Sequence, residues 1–326
     1  MEPEARVLPP SGGAVPVQVR VHAEAAAEGT VELKLPAGWE ATPASASFRL
    51  KKGGDSEPIV FSVTTDGAAT GLFRIQAVAH AGGREFLTGW QSIGYPGMRP
   101  YNLYKAAELK TRKMDVKLAA GLRIGYVMGT GDPVPEAIKE LGAGAPHLLT
   151  PGEISSGDLS AWNVIVVGIR AYSNRPELAA AEARLEAFVR QGGTLIVQYQ
   201  SANFPAPLPL SMGRTPERVV DEEAPVRILD GENPLLKWPN AITAADFEGW
   251  VEERGHGFLD SWDPGYTALT ETADAGQDPQ RSGLLEAHLG KGTYVYVAFA
   301  LHRQLPELVP GAYRLLANLL SAGKVQ

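Results

Sequence analysis

Apolar residues alternate strictly at Val15, Val17, Val19 and Val21, again at Val31, Leu33 and Leu35, and again at Ile59, Phe61 and Val63. Strand side chains repeat every second residue, so each set lines one face of a half-buried strand. Turn clusters separate the sets: Pro36-Ala37-Gly38, Lys52-Gly53-Gly54-Asp55, Asp66-Gly67 and Ala81-Gly82-Gly83. Short strands at this spacing, with no helical period between them, predict a small β-sandwich over residues 1–95.

From Ile124 the pattern changes. Residues 123–128 form a short apolar run that enters Gly129-Thr130-Gly131-Asp132-Pro133, and residues 134–141 then take helical spacing up to Gly142. Residues 164–169 (VIVVGI) are continuously apolar, as expected for a strand covered on both faces. A helix over 176–191 ends at Gly192-Gly193, a strand over 194–199 follows, and a further strand (293–300) and helix (307–321) close the chain. Strands alternating with helices predict a parallel sheet flanked by helices. Residues 201–292, rich in Pro and Gly, read as a long insertion with short strands at 266–270 and 284–289. Residues 96–120 read as a linker, and 121–326 as the α/β domain.

The length of 326 residues fits two domains. Cysteine is absent, which removes disulfides, thiolate metal ligands and cysteine nucleophiles together. The net charge of −7 is concentrated in the second half, a poor match to nucleic acid. The basic cluster Lys105, Lys110, Arg112, Lys113 and Lys117 reads as a solvated linker. No apolar run of about 18 residues is present, so no membrane span is expected. Met1 to Pro10 lacks the apolar core of a signal peptide.

In an open parallel sheet, ligands bind beyond the carboxyl ends of the strands. Those ends carry Gly129–Asp132, then Arg170, Tyr172 and Asn174, then Tyr199, Gln200 and Asn203, and finally His302, Arg303 and Gln304. Gly129-Thr130-Gly131 lacks the third glycine of a dinucleotide fingerprint and reads as a tight turn. The six histidines are scattered without metal-ligand spacing, and His256 between two glycines reads as a loop residue. No metal or cofactor site is expected. Residues 247–255 (FEGWVEERG) place Trp250 beside Glu248, Glu252, Glu253 and Arg254, with Trp262 and Tyr266 close behind. Aromatic faces beside carboxylates and guanidinium groups suit a sugar surface. The competing reading has these tryptophans anchoring the insertion to the core.

The blocks IGYVMGTGDPVPEAIKELG, VIVVGIRAYSNRPEL, GGTLIVQYQSAN, APVRILDGENPLL, ITAADFEGWVEERG, GKGTYVYVAF and RQLPELVPGAYRLLANLLSAGK together resemble one arrangement. It is the C-terminal accessory region of bacterial PIG-L (LmbE-like) deacetylases. The resemblance is dense over 120–326 and weaker upstream, through GYPGMRPYNLYKAA and LPAGWEATPASASFRL. It implies an Ig-like module followed by a flavodoxin-like domain similar to class I glutamine amidotransferases, and an extracytoplasmic setting. Active amidotransferases carry a cysteine after a central strand and a His-x-Glu pair after a later one. The matching positions are Gln200, with no thiol, and His302 with Gln304, an amide in place of the carboxylate. Neither can perform thiolate chemistry. Relatives in this resemblance carry Phe-Arg-Gln where His302 begins the later motif, and a glutamine where Glu252 stands. The zinc motif of the deacetylase unit has no counterpart.

The expectation is therefore a non-catalytic accessory module with no cofactor. Its partner would be a carbohydrate, or a PIG-L-type deacetylase domain on which it docks. The ligand set would be Arg170, Tyr172, Gln200 and Asn203 from strand ends, with Trp250, Glu252, Arg254 and Arg303 from the edge. Two rivals remain. One is a glycan hydrolase using Glu252 with Asp246, Glu253 or Asp263; the other is a structural or dimerisation module whose crevice is filled by its own side chains.

Overall fold

The alternating valines lie on the strand Gly13–His22, which pairs antiparallel with Ser56–Thr65 in register from Gly13↔Thr65 to His22↔Ser56. The structure is a computed structural model that describes residues 1, 4–65, 67, 70–214 and 217–324. The turn expected at Asp66 lies outside the described residues. Glu40–Thr42 joins the other side of Ser56–Thr65 to complete a three-stranded sheet. A second sheet orders Ala5–Leu8, Glu108–Lys113, Gly71–Ala81, Ala27–Lys34 and Ser45–Leu50. Val17, Val19, Phe61 and Val63 of one sheet and Val31, Phe48, Ile75 and Leu109 of the other share one buried core. That is the sandwich expected for this region.

The expectation of a linker over 96–120 is corrected. Tyr101–Ala106 pairs with Thr88–Ile93 as a hairpin, and Glu108–Lys113 is a sheet strand. The first unit accordingly runs Met1–Asp115 and the second Val116–Gln326. The solvated reading of the basic cluster fails at Lys113. Its side chain is buried, with the ammonium 5.4 Å from the Trp39 ring centroid and 6.0 Å from that of Phe73. Lys105, by contrast, is exposed and paired with Glu4.

The second unit is built on a seven-stranded sheet. Its order is His147–Leu148, Ile124–Val127, Val164–Val167, Thr194–Gln198, Gly292–Val297, Leu284–Leu289 and Thr267–Ala268. The first five strands are parallel; the edge strand His147–Leu148 is exposed, and the other four are buried on both faces, which is why Val164–Val167 reads as uninterrupted valine and isoleucine. The last two are antiparallel, so the sheet is mixed rather than purely parallel. Leu284–Leu289 returns to Gly292–Val297 through the Gly290-Lys291 turn, with Gly290 at φ +62°.

The helices are shorter than their sequence periods suggest. The 176–191 segment breaks at Ala181 into Pro176–Ala180 and Glu182–Arg190. The closing helix is Pro310–Ser321, almost wholly buried, and Pro310 stands where the helix begins and no backbone N–H is needed. Leu301–Gln304 is a separate turn ahead of it.

Candidate binding site at the carboxyl ends of the strands

Five side chains converge beyond the strand ends, and Tyr199 is their centre. Its ring meets His256 edge-on at 5.1 Å between centroids and His302 at 5.4 Å. Arg170 is fixed from below, because its backbone N–H donates to the Tyr199 carbonyl at 3.0 Å. Arg170 adopts a left-handed backbone, φ +54°, at the turn that follows Val164–Val167. Arg218 faces His256 directly across the two-stranded ladder of Glu217–Val219 and Gly255–Phe258.

Glycines let that ladder approach so closely. Gly257 has φ +77°, and a Cβ there would fall 2.6 Å from the Gln200 carbonyl oxygen and 3.4 Å from the Tyr199 Cβ. The Gly-His-Gly spacing thus carries a signal that the loop reading of His256 missed. The imidazole is the only side chain the segment Gly255-His256-Gly257 can present, and it is presented to Tyr199.

The electrostatics of the crevice favour neutral imidazoles. His302 is pushed down to about 4, first by burial and then by the charges of Arg303 and His256. His256 is lowered by burial, then by Arg218 and Arg170. Burial raises the Tyr199 phenol. Both histidines carry a buried Nδ1 with no hydrogen-bond partner.

The remaining expected ligands divide. Arg303 is half-exposed at the rim, pairing with Glu252 at 2.9 Å and Glu253 at 3.7 Å. Asn203 is exposed, but its Oδ1 accepts from the Met212 N–H at 2.7 Å. Four other assignments are corrected by burial. Gln200 is 1% exposed: its Nε2 donates to the Gly168 and Gln198 carbonyls and its Oε1 accepts from the Tyr172 N–H. Tyr172 turns its ring inward to stack on Phe204 at 5.2 Å. Trp250 packs among Phe247 and Phe299 and donates its indole N–H to the Asp246 carbonyl at 2.9 Å. Arg254 lies buried over the Trp250 ring, spending its donors on the Ala224 and Phe247 carbonyls. A sugar cannot stack on a tryptophan already enclosed by aromatic neighbours.

Gln304 is likewise fully buried and bonds to the backbone of Val251 and Glu253. It does not orient His302. Of Gln200, His302 and Gln304, only His302 reaches the crevice.

Beneath the crevice, Gln198 donates to the Tyr126 hydroxyl at 2.8 Å and Tyr126 donates to Asp132 Oδ1 at 2.6 Å. Burial raises the Asp132 carboxyl, against the pull of its hydrogen bonds. The Gly129 turn is a packing device, since a Cβ there would lie 2.0 Å from the Ile169 carbonyl oxygen. A cavity of about 450 Å³ opens at the opposite, amino-terminal edge of the sheet, lined by Asp158, Trp162, Asn163, Arg184 and Phe188. Its polar walls are committed to the fold: Asn163 bonds Arg123 and Gly121, and Arg184 bonds Ile154 and Gly157. Among the described residues no group of three His, Cys, Asp or Glu side chains could hold a metal ion. Among the described residues no helix is long and apolar enough to cross a membrane.

No family model and no curated protein matches the chain. Among solved structures, one described as a GMP synthase component from Thermoplasma acidophilum is 13% identical, with a TM-score of 0.41, over 63% of this chain and 97% of that one. SSP-19, an MSP-domain-like protein of Caenorhabditis elegans, is 11% identical at a TM-score of 0.22, over 35% of this chain and 97% of its own. A β-galactosidase from Rahnella sp. R3 is 13% identical at a TM-score of 0.34, over 63% of this chain and 31% of that one.

Proposed function

We propose that the chain is a non-catalytic accessory module of a PIG-L-type sugar N-deacetylase system, and that its second unit is a flavodoxin-like, amidotransferase-type scaffold offering its strand-end crevice to a carbohydrate. The observation that carries the reading is the state of Gln200. The resemblance sets it where an active amidotransferase carries its nucleophile, and its carboxamide is buried and spent on Gly168, Gln198 and Tyr172. A group so engaged can neither attack a substrate nor be freed without leaving buried carbonyls unpaired.

The hydrolase alternative draws no support from the carboxylates. A glycosidase acid needs an apolar setting and a facing partner. Glu252 is exposed and ion-paired with Arg303, which also takes Glu253. Asp246 is bound by Arg314 at 2.8 Å, and Asp263 caps the Gly265 N–H at 2.8 Å. The purely structural reading accounts for Trp250, Arg254 and Gln304, but leaves the exposed Arg170 and Arg218 at the crevice mouth without a role.

The test pairs turnover with binding. The purified chain is incubated with glutamine, p-nitrophenyl glycosides and N-acetylglucosamine oligomers, and its saccharide binding is measured by calorimetry. Saccharide binding without release of ammonia, nitrophenol or acetate is expected. Turnover that Glu252→Gln abolishes would establish the hydrolase instead, and the absence of any saccharide binding would overturn the proposal.

A further inference from the structure

We infer that the strand-end crevice takes a ligand bearing an anionic group, a carboxylate or a phosphate, seated between Arg170 and Arg218 beside His256. The inference rests on the reading of this crevice as a binding site and adds the charge of what it binds.

Arg170 and Arg218 are both exposed, and neither makes an ion pair with a carboxylate among the described residues. Arg123, Arg184 and Arg254 also lack one, but they donate to backbone carbonyls. Arg49, Arg74, Arg175, Arg190, Arg227, Arg281, Arg303 and Arg314 each hold an acidic partner. Acids outnumber bases, 37 to 30, so carboxylates to pair with are not scarce. Two guanidinium groups left without one, both near the His256 imidazole, concentrate positive charge in an otherwise acidic unit. The nearby acids do not cancel it. Glu252 and Glu253 are held by Arg303, and Asp132 is turned down toward Tyr126.

The placement is built by the backbone. Arg218 is set opposite His256 by cross-strand register, and Arg170 is held by its bond to the Tyr199 carbonyl. The left-handed conformation of Arg170 is unfavourable for a residue with a Cβ, and such strain recurs at ligand-binding turns. Both arginines lie close enough to His256 to oppose its protonation. The His256 and His302 rings flank Tyr199 in the same crevice, at 5.1 and 5.4 Å between centroids, and set imidazole edges beside the arginines. Carboxylate and phosphate oxygens meet guanidinium and imidazole N–H donors alike, and a planar guanidinium can grip either with two hydrogen bonds. A neutral sugar hydroxyl satisfies neither arginine's charge.

Calorimetry at low salt with three probes tests this: digalacturonate, inorganic phosphate and neutral cellobiose, each against the intact chain and against Arg170→Met and Arg218→Met. Both variants replace exposed side chains, so unchanged melting curves are expected and serve as the folding control. At least one anionic probe should bind. Either variant should weaken it tenfold or more, and 0.5 M salt should weaken it in the intact chain. Tighter binding of digalacturonate than of phosphate assigns the carboxylate, and the reverse assigns the phosphate. Cellobiose binding as tightly as the acidic disaccharide would overturn the inference while leaving the saccharide-binding reading intact. Anion binding indifferent to both variants would also overturn it. Silence from all three probes would overturn both.

Discussion

The Gln304 carboxamide closes a two-bond ring with the backbone of Val251, its Oε1 accepting the Val251 N–H at 2.8 Å and its Nε2 donating to the Val251 carbonyl at 2.8 Å. A third contact, to the Glu253 carbonyl at 3.3 Å, spans the next turn. Between them stands Glu252 in a left-handed conformation, φ +66°. Gln304 therefore holds a strained turn and sets Glu252 and Glu253 against Arg303. Gln304→Leu keeps the approximate volume but leaves the Val251 and Glu253 groups without partners. It should destabilise the second unit by about 1–3 kcal/mol. Urea unfolding followed by far-ultraviolet circular dichroism would measure it; an unchanged midpoint would show that other contacts hold the turn.

Trp250 separates anchoring from ligand stacking. Trp250→Phe removes the indole donor to Asp246 and part of the contact with Phe299. It should cost about 1–3 kcal/mol, and Trp250→Ala about 3–5 kcal/mol. Ligand affinity of the folded Trp250→Phe protein should stay within about twofold, as expected for a side chain enclosed in the core. Retained stability with affinity lost tenfold would instead assign the ring to the ligand.

The four inner parallel strands were legible because burial on both faces leaves one uninterrupted apolar word, such as Val164–Val167, whereas the exposed two-residue edge strand His147–Leu148 was not. Glu108–Lys113 was not legible. Its inward positions are Leu109, Thr111 and Lys113, so two of the three are polar, and the lysine is accommodated by lying near the Trp39 and Phe73 rings. The strand Leu284–Leu289 was visible, but its direction depends on the tight turn at Gly290 rather than on its own pattern. The location of the crevice followed from the strand ends; its lining did not. Past the last residue of a strand the period of two no longer fixes direction, so Gln200 and Tyr172 turn inward while Arg170 turns out. His256 and Arg218 come from the insertion and meet the strand ends only through the ladder they share.

Gly257→Ala tests that ladder. The added Cβ would sit 2.6 Å from the Gln200 carbonyl oxygen, in a backbone conformation that disfavours any Cβ. Backbone atoms cannot rotate away, so the Gly255–Phe258 strand must shift away from Tyr199. A loss of about 2–4 kcal/mol is expected from strain and overpacking together. Because His256 moves with the strand, probe binding in the crevice should fall at least tenfold in whatever fraction stays folded. Full stability in thermal melts would show that the strand has room to accept the Cβ.

His302 makes stability depend on pH in a defined direction. Its folded-state value, about 4, lies below the ordinary imidazole value, chiefly through burial and then through Arg303 and His256. Between the two values the unfolded chain binds a proton that the folded chain does not. The contribution of neutral His302 is thus complete above about pH 6.5 and is lost as pH falls to about 4, in all about 3 kcal/mol. His256 is shifted in the same sense and adds to the slope. His302→Phe removes this titration without adding a buried polar group. Its unfolding free energy should fall less than that of the intact chain between pH 7 and pH 4.5, in urea titrations at matched ionic strength. Identical slopes in the two proteins would place the His302 ring in contact with water and remove it from the floor of the crevice.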